Sequence, residues 1–227
     1  MFKKKAKKHD RKYTLGEEIF NAVTHGVGSL LSVAGCVILI VFGAVYGDVW
    51  SVVSNSVFGA SLIILYTSST LYHSLTNAKA KAVFRILDHD TIFFLIAGTY
   101  TPITLCTIRR YDPAMGWTLF AIVWAAAIVG IVLNSISIEK YKIFSIIAYI
   151  AMGWIVVIAI KPIIDNMGLK PMLYLFGGGI AYTVGVIFYK MKSVKYMHSI
   201  WHLFTVAGSV LHFFFVLFYV SPLEPKF

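Results

Sequence analysis

The sequence predicts an all-α fold, a seven-transmembrane-helix bundle with its N-terminus cytoplasmic and its C-terminus outside. Three observations carry that prediction. Of the 227 residues, 59% are hydrophobic and 13% charged, and the mean hydropathy is +0.79. A soluble domain of this size has too little interior to hide that much apolar surface. The apolar residues fall into seven runs, near 20–46, 50–74, 84–108, 114–136, 142–161, 171–190 and 197–220. Each is about the ~20 residues a helix needs to cross the hydrocarbon, and long runs with polar breaks favour helices over a barrel. Finally, the 20 Lys and Arg residues are split unevenly between the two faces that seven crossings define. All but Arg109, Arg110, Lys161, Lys170 and Lys226 fall on the side of the N-terminal tail. Cytoplasmic segments carry the positive excess, which orients the chain.

In chain order, residues 1–16 form a basic cytoplasmic tail. Its charges resemble the first part of a signal peptide, but the apolar run that follows exceeds the ~7–15 residues of a cleavable core, so an uncleaved first helix is expected. The tail sets topology and clings to anionic lipid. Residues 17–220 form the membrane domain and 221–227 a short outer tail. The breaks between runs are Gly47-Asp48, residues 77–81, the Arg109–Pro113 stretch, Glu139–Lys142, Asp165–Gly168 and Lys190–Lys192. Pro102, deep in the third run, removes one backbone donor and should kink that helix. Gly98, Gly153, Gly177–Gly179, Gly185 and Gly208 let helix backbones approach. Cys36 and Cys106 give no disulfide framework and read as packing residues. The net charge of +10 lies mainly in the tail and short loops, which argues topology and no nucleic-acid partner.

The ionisable residues sort by depth. His25 lies early in the first helix, His73 closes the second, Asp88, His89 and Asp90 open the third, and His198 and His202 open the last. All sit toward the cytoplasmic end. The spacing of His198 and His202 stacks two imidazoles on one helix face, which suits a metal ion. Taken alone, that pair equally suits interfacial histidines bonded to backbone or water. A shared depth on four helices favours a common site, because ionisable groups inside a membrane are costly. Ser69 lies one turn deeper than His73 on the same face; its simplest role is to bond the carbonyl four residues earlier. His212 lies roughly 21 Å further along the last helix than His198. It is expected to be a satisfied packing histidine.

Ser69-x-x-x-His73, Leu87-Asp88-His89, His198-Ser-Ile-Trp-His202 and Ile96-Ala-Gly-Thr-Tyr-Thr-Pro102 recur here in order, and Asn21-x-x-x-His25-Gly26 accompanies them. Together they resemble the hemolysin III family, the bacterial branch of the progestin and adiponectin receptor family, from about Gly16 to Val220. The resemblance implies a multi-pass plasma-membrane protein holding Zn2+ through His73, His198 and His202. It also implies that Asp88 works on the attacking water with Ser69 beside it, as in related alkaline ceramidases. On that basis the expected function is zinc-dependent hydrolysis of a membrane lipid amide or ester. The alternative is a haemolytic pore-forming or signalling protein whose zinc is structural. His25 and Glu17 are candidate supports of the metal ligands.

Overall fold

The computed structural model describes residues 13–191 and 193–223. The basic tail through Lys12, Lys192 and residues 224–227 lie outside the described residues. Among the described residues, seven helices are long and apolar enough to cross a membrane: α1 Leu15–Tyr46, α2 Val49–Ser74, α3 Ala78–Tyr111, α4 Pro113–Ile136, α5 Ile138–Met167, α6 Lys170–Lys190 and α7 Met197–Val220. No strand occurs among the described residues.

The helix starts follow from local chemistry. Thr14 and Glu17 form a reciprocal capping box at α1, Asp48 caps α2 through Ser51 N, and Asn77 caps α3 through Lys79 N and Ala80 N. Asp112 caps α4 ahead of Pro113, and Ser137 caps α5. Such side chains satisfy donors that the first helical turn cannot satisfy itself. The Asn77 cap starts α3 six residues before the apolar run, so the polar turn Ala78–Val83 is helical too. Asp88 therefore lies roughly three turns inside α3 instead of opening it.

Two helices carry interior breaks. After Pro102, α3 continues in π geometry over Ile103–Ile108. Proline leaves a carbonyl without its N–H, and nearby threonines help to saturate this stretch: Thr104 Oγ1 donates to the carbonyls of Tyr100 and Thr101. The expected kink is thus realised as a widened turn. In α5, residues Ile155–Ala159 tighten to 3-10 geometry. Tyr100 of α3 inserts its hydroxyl here, donating to Gly153 O at 2.8 Å and accepting from Val156 N at 3.0 Å. An inserted side chain is a recognised cause of such a break.

Packing places α3 at the centre, buried along most of its length, with α2, α4 and α5 against it. α1 packs on α2 and α7, and α6 packs on α7. The core includes Phe58, Leu62, Tyr66, Phe93, Ile103 and Phe215, whereas Val23, Leu30, Val37, Ile128, Ile143 and Leu173 point outward. Outward apolar side chains suit lipid contact.

Candidate metal centre

α2 ends, and α1 and α7 begin, at the same end of the bundle, the one that carries the N-terminus. That topology puts His73, in the last turn of α2, beside His198 and His202 in the first turns of α7. One ligand nitrogen from each lies within 4.8 Å of the others. His202 Nε2 and His198 Nε2 face each other at 3.1 Å, and the His73 ring lies 5.1 Å and 5.4 Å from the rings of His202 and His198. The α1–α7 seam holds this arrangement. Glu17, Asn21 and His25 lie on one face of α1: Glu17 accepts from Tyr196 N, Asn21 accepts from Ser199 Oγ, and His25 stacks on His202 at 3.6 Å. Tyr196, just before α7, has a left-handed φ of 63°, and the Glu17 carboxylate satisfies its N–H.

Unspent hydrogen bonds test whether a cation suits this cluster. Glu18 Oε2 lies 2.6 Å from His73 Nδ1, and the other Glu18 oxygen takes Lys81 Nζ at 2.7 Å. A carboxylate on Nδ1 fixes the proton there and leaves Nε2 as the ligand nitrogen. His73 Nε2 is buried and has no hydrogen-bond partner among the described residues. Two facing imidazole nitrogens and one orphaned nitrogen, with a carboxylate behind it, form the donor set a soft-to-borderline divalent ion takes. The residues fit zinc.

Asp88 is not part of the three-histidine cluster. It lies beside it, mostly buried, and lines a cavity of about 30 Å³ together with His25, His89, Tyr189, His198 and His202. That is room for one water. Ser69 is buried, and its Oγ makes no hydrogen bond among the described residues, not even to the carbonyl of its own preceding turn. It does not line the cavity that Asp88 lines.

His212 sits apart, its Nε2 donating to Leu175 O at 3.1 Å. A Cβ at Gly178 would overlap the His212 ring, so the middle glycine of the α6 triplet makes room for this histidine. Glu17 is a cap and a clamp on Tyr196, and Glu18 is the carboxylate that meets His73. Sequence reasoning missed two residues. Glu18 looks like an ordinary acidic residue in a first helical turn. Tyr13, whose ring stacks on His198 at 4.8 Å, sits at the end of the basic tail, where no pattern marks it. Burial above all, and then the neighbouring Tyr72, Tyr189, Asp88 and Glu18, push the Tyr13 phenol well above its usual range. It stays neutral.

The sequence profile of the family described as "Haemolysin-III related" matches residues 13–213. The chain belongs to this haemolysin III family. It is 45% identical over 207 residues to the "Hemolysin-3 homolog" of Bacillus subtilis (strain 168), covering 91% of this chain and 96% of that one. "Hemolysin-3" of Bacillus cereus is also 45% identical, over 206 residues, covering 91% of this chain and 93% of its own. The human "Monocyte to macrophage differentiation factor" is 26% identical over 218 residues, covering 92% of this chain and 87% of its own. As a haemolysin III member with seven apolar helices, the protein is a multi-pass cell-membrane protein.

Proposed function

We propose that this protein is a zinc-dependent hydrolase of a lipid amide or ester, with its site at the cytoplasmic leaflet. One observation carries the reading: a three-histidine cluster adjoins a water-sized cavity that contains Asp88 and shares walls with an apolar cavity. Leu65, Ile92, Trp201 and Thr205 line both the histidine cavity and an almost wholly apolar one of about 100 Å³ between α3, α5, α6 and α7. The first few methylenes of an acyl chain would lie there, with its carbonyl at the histidines.

His73, His198 and His202 would hold Zn2+ with one position open, where it would polarise a carbonyl and acidify a water. Asp88 would orient the attacking water and accept its proton, work typically worth ~10²–10⁴ in rate. Ser69 brings a hydroxyl with unspent hydrogen-bonding capacity, which would steady the developing oxyanion. Glu18 would hold His73 in the correct tautomer, and His25 would brace the His202 ring. The cytoplasmic placement rests on the basic residues near this end, including Lys79, Lys81, Arg85 and Lys195.

The relatives' haemolysin names prompt a pore reading, but at the opposite end of the bundle polar bonds join α1, α2 and the end of α7. Asn55 donates to Leu39 O at 2.6 Å and to Ser221 Oγ at 2.9 Å, and Ser51 Oγ donates to Ser221 O. A dead-end pocket favours hydrolysis. The test measures zinc content and turnover of ceramide-like and acyl-amine lipids in detergent. Asp88→Ala should abolish turnover and keep most of the zinc. An unmodified protein that holds zinc and hydrolyses none of these lipids would point to structural zinc instead.

A further inference from the structure

Tyr13 occupies a position that neither a capping nor a topological role explains. On the N-terminal side of the histidines is a vestibule of about 460 Å³, lined in part by Tyr13, Thr14, Glu17, Tyr189, Lys195 and His198. His198 also lines the small inner cavity with Asp88, so the imidazole forms a shared wall between the two spaces. The Tyr13 ring lies over that imidazole at 4.8 Å and 19° and reaches the His73 ring at 5.7 Å. An aromatic ring laid on a partition covers it from the vestibule side.

The placement is held by one carboxylate. Glu17 Oε2 accepts from Thr14 N at 2.8 Å and from Thr14 Oγ1 at 2.7 Å, while its Oε1 accepts from Tyr196 N at 2.9 Å. Glu17 therefore fixes both the residue after Tyr13 and the residue two before His198. This shared anchor sets the register between the phenol ring and the imidazole. Gly16 reinforces the contact, since a Cβ there would meet Tyr196 Oη at 2.8 Å.

We infer that Tyr13 is a positioning residue that closes the vestibule against the histidine cluster. Its ring must swing aside before a hydrophilic molecule passes between them. This rests on the metal reading above only where metal release is concerned. For a hydrolase, the polar half of a lipid substrate would enter or leave by this route, while the acyl chain stays in the apolar cavity. Closure comes from the ring face, so phenylalanine should keep most of it.

Two measurements on the purified full chain test it. In a background with Cys36→Ala and Cys106→Ala, a His198→Cys thiol is labelled with a charged, water-soluble maleimide. Adding Tyr13→Ala should raise the labelling rate roughly two- to tenfold, the worth of the one aromatic contact the ring keeps in this background, with His73, and Tyr13→Phe should raise it far less. The second measurement follows zinc loss to a hydrophilic chelator with the histidines intact, and the same order of rates is expected. Equal labelling rates with and without the ring overturn the inference, as does a Tyr13→Phe variant that behaves like Tyr13→Ala. Faster labelling in a protein that never holds zinc would keep the door and sink the metal reading. Matching melting temperatures for the Phe and Ala variants separate loss of cover from loss of fold.

Discussion

Removing the Glu18 carboxylate should weaken zinc binding by an amount that depends on what replaces it. His73 is fully buried at its side chain, Glu18 is 13% exposed, and 2.6 Å separates Oε2 from Nδ1. Outer partners of metal-ligating histidines are typically worth ~10–100-fold in affinity, which is ~1.4–2.7 kcal/mol. Two features of this pair divide that range. Lys81 already draws on the other Glu18 oxygen at 2.7 Å, which reduces the negative charge felt by the imidazole. In Glu18→Gln, the amide oxygen can still accept from Nδ1, so the tautomer and ring orientation persist and only charge is lost. That variant belongs at the low end, about tenfold. Glu18→Ala leaves a buried Nδ1 without its acceptor and frees the ring to turn. It belongs at the high end, about a hundredfold. The assay is competition against a chelator of known affinity, on purified protein in detergent at fixed pH. A Glu18→Ala variant within about threefold of the parent, under ~0.7 kcal/mol, would refute the support role. A loss as complete as that of His73→Ala would instead make Glu18 a ligand.

Alanine at any one of His73, His198 or His202 should cut bound zinc sharply, because two imidazoles hold the ion poorly; elemental analysis checks this, and His212→Ala should keep its zinc. Asp48 gives a pH signature. Burial raises its carboxyl, but hydrogen bonds from Ser51 N and Oγ and the charges of Arg110 and Arg109 outweigh this and lower it overall. A lowered carboxylate adds stability that is present above the unfolded value near ~3.9 and is lost as pH falls through the folded value. Asp48→Asn should therefore melt below the parent at about pH 5 and converge with it as the pH falls through the lowered value of the folded carboxyl, read by thermal unfolding. Reporters fused to the two chain ends should register the N-terminus in the cytoplasm and the C-terminus outside; finding both on one side would remove the seven-crossing topology.

Much of the architecture was legible because lipid leaves few choices. An apolar run long enough to span must be helical, and the seven runs became α1 to α7 with mostly small errors at their edges. The larger errors have causes. α3 begins at Ala78 because Asn77 caps a turn whose lysines look like loop residues. α5 extends to Met167, beyond the end of the run at Lys161: Asp165, which reads as a loop residue, pairs with Lys161 across one helical turn at 2.6 Å. The 3-10 break in α5 was invisible because its cause, the Tyr100 hydroxyl, lies on another helix.

The site divides along the same line. The convergence of His73, His198 and His202 could be read because their depth is set by distance from a helix end, which the sequence encodes directly. His212 could be set apart on the same ground. Depth does not encode azimuth, however, and azimuth decides which neighbour a side chain meets. Glu17 and Glu18 have nearly the same depth, yet a helix turns about 100° between successive residues. One carboxylate therefore faces α7 and clamps Tyr196, while the other faces α2 and takes His73. Thr14-x-x-Glu17 marks Glu17 as the capping-box partner, but which neighbouring helix each carboxylate meets is decided by the packing of α1 between α2 and α7. Tyr13 adds a further difficulty, since it precedes the helix and has no periodicity to fix its face. Its place over His198 follows from the Glu17 anchor, a contact between residues far apart in the chain, so it becomes visible only once α1 and α7 are assembled.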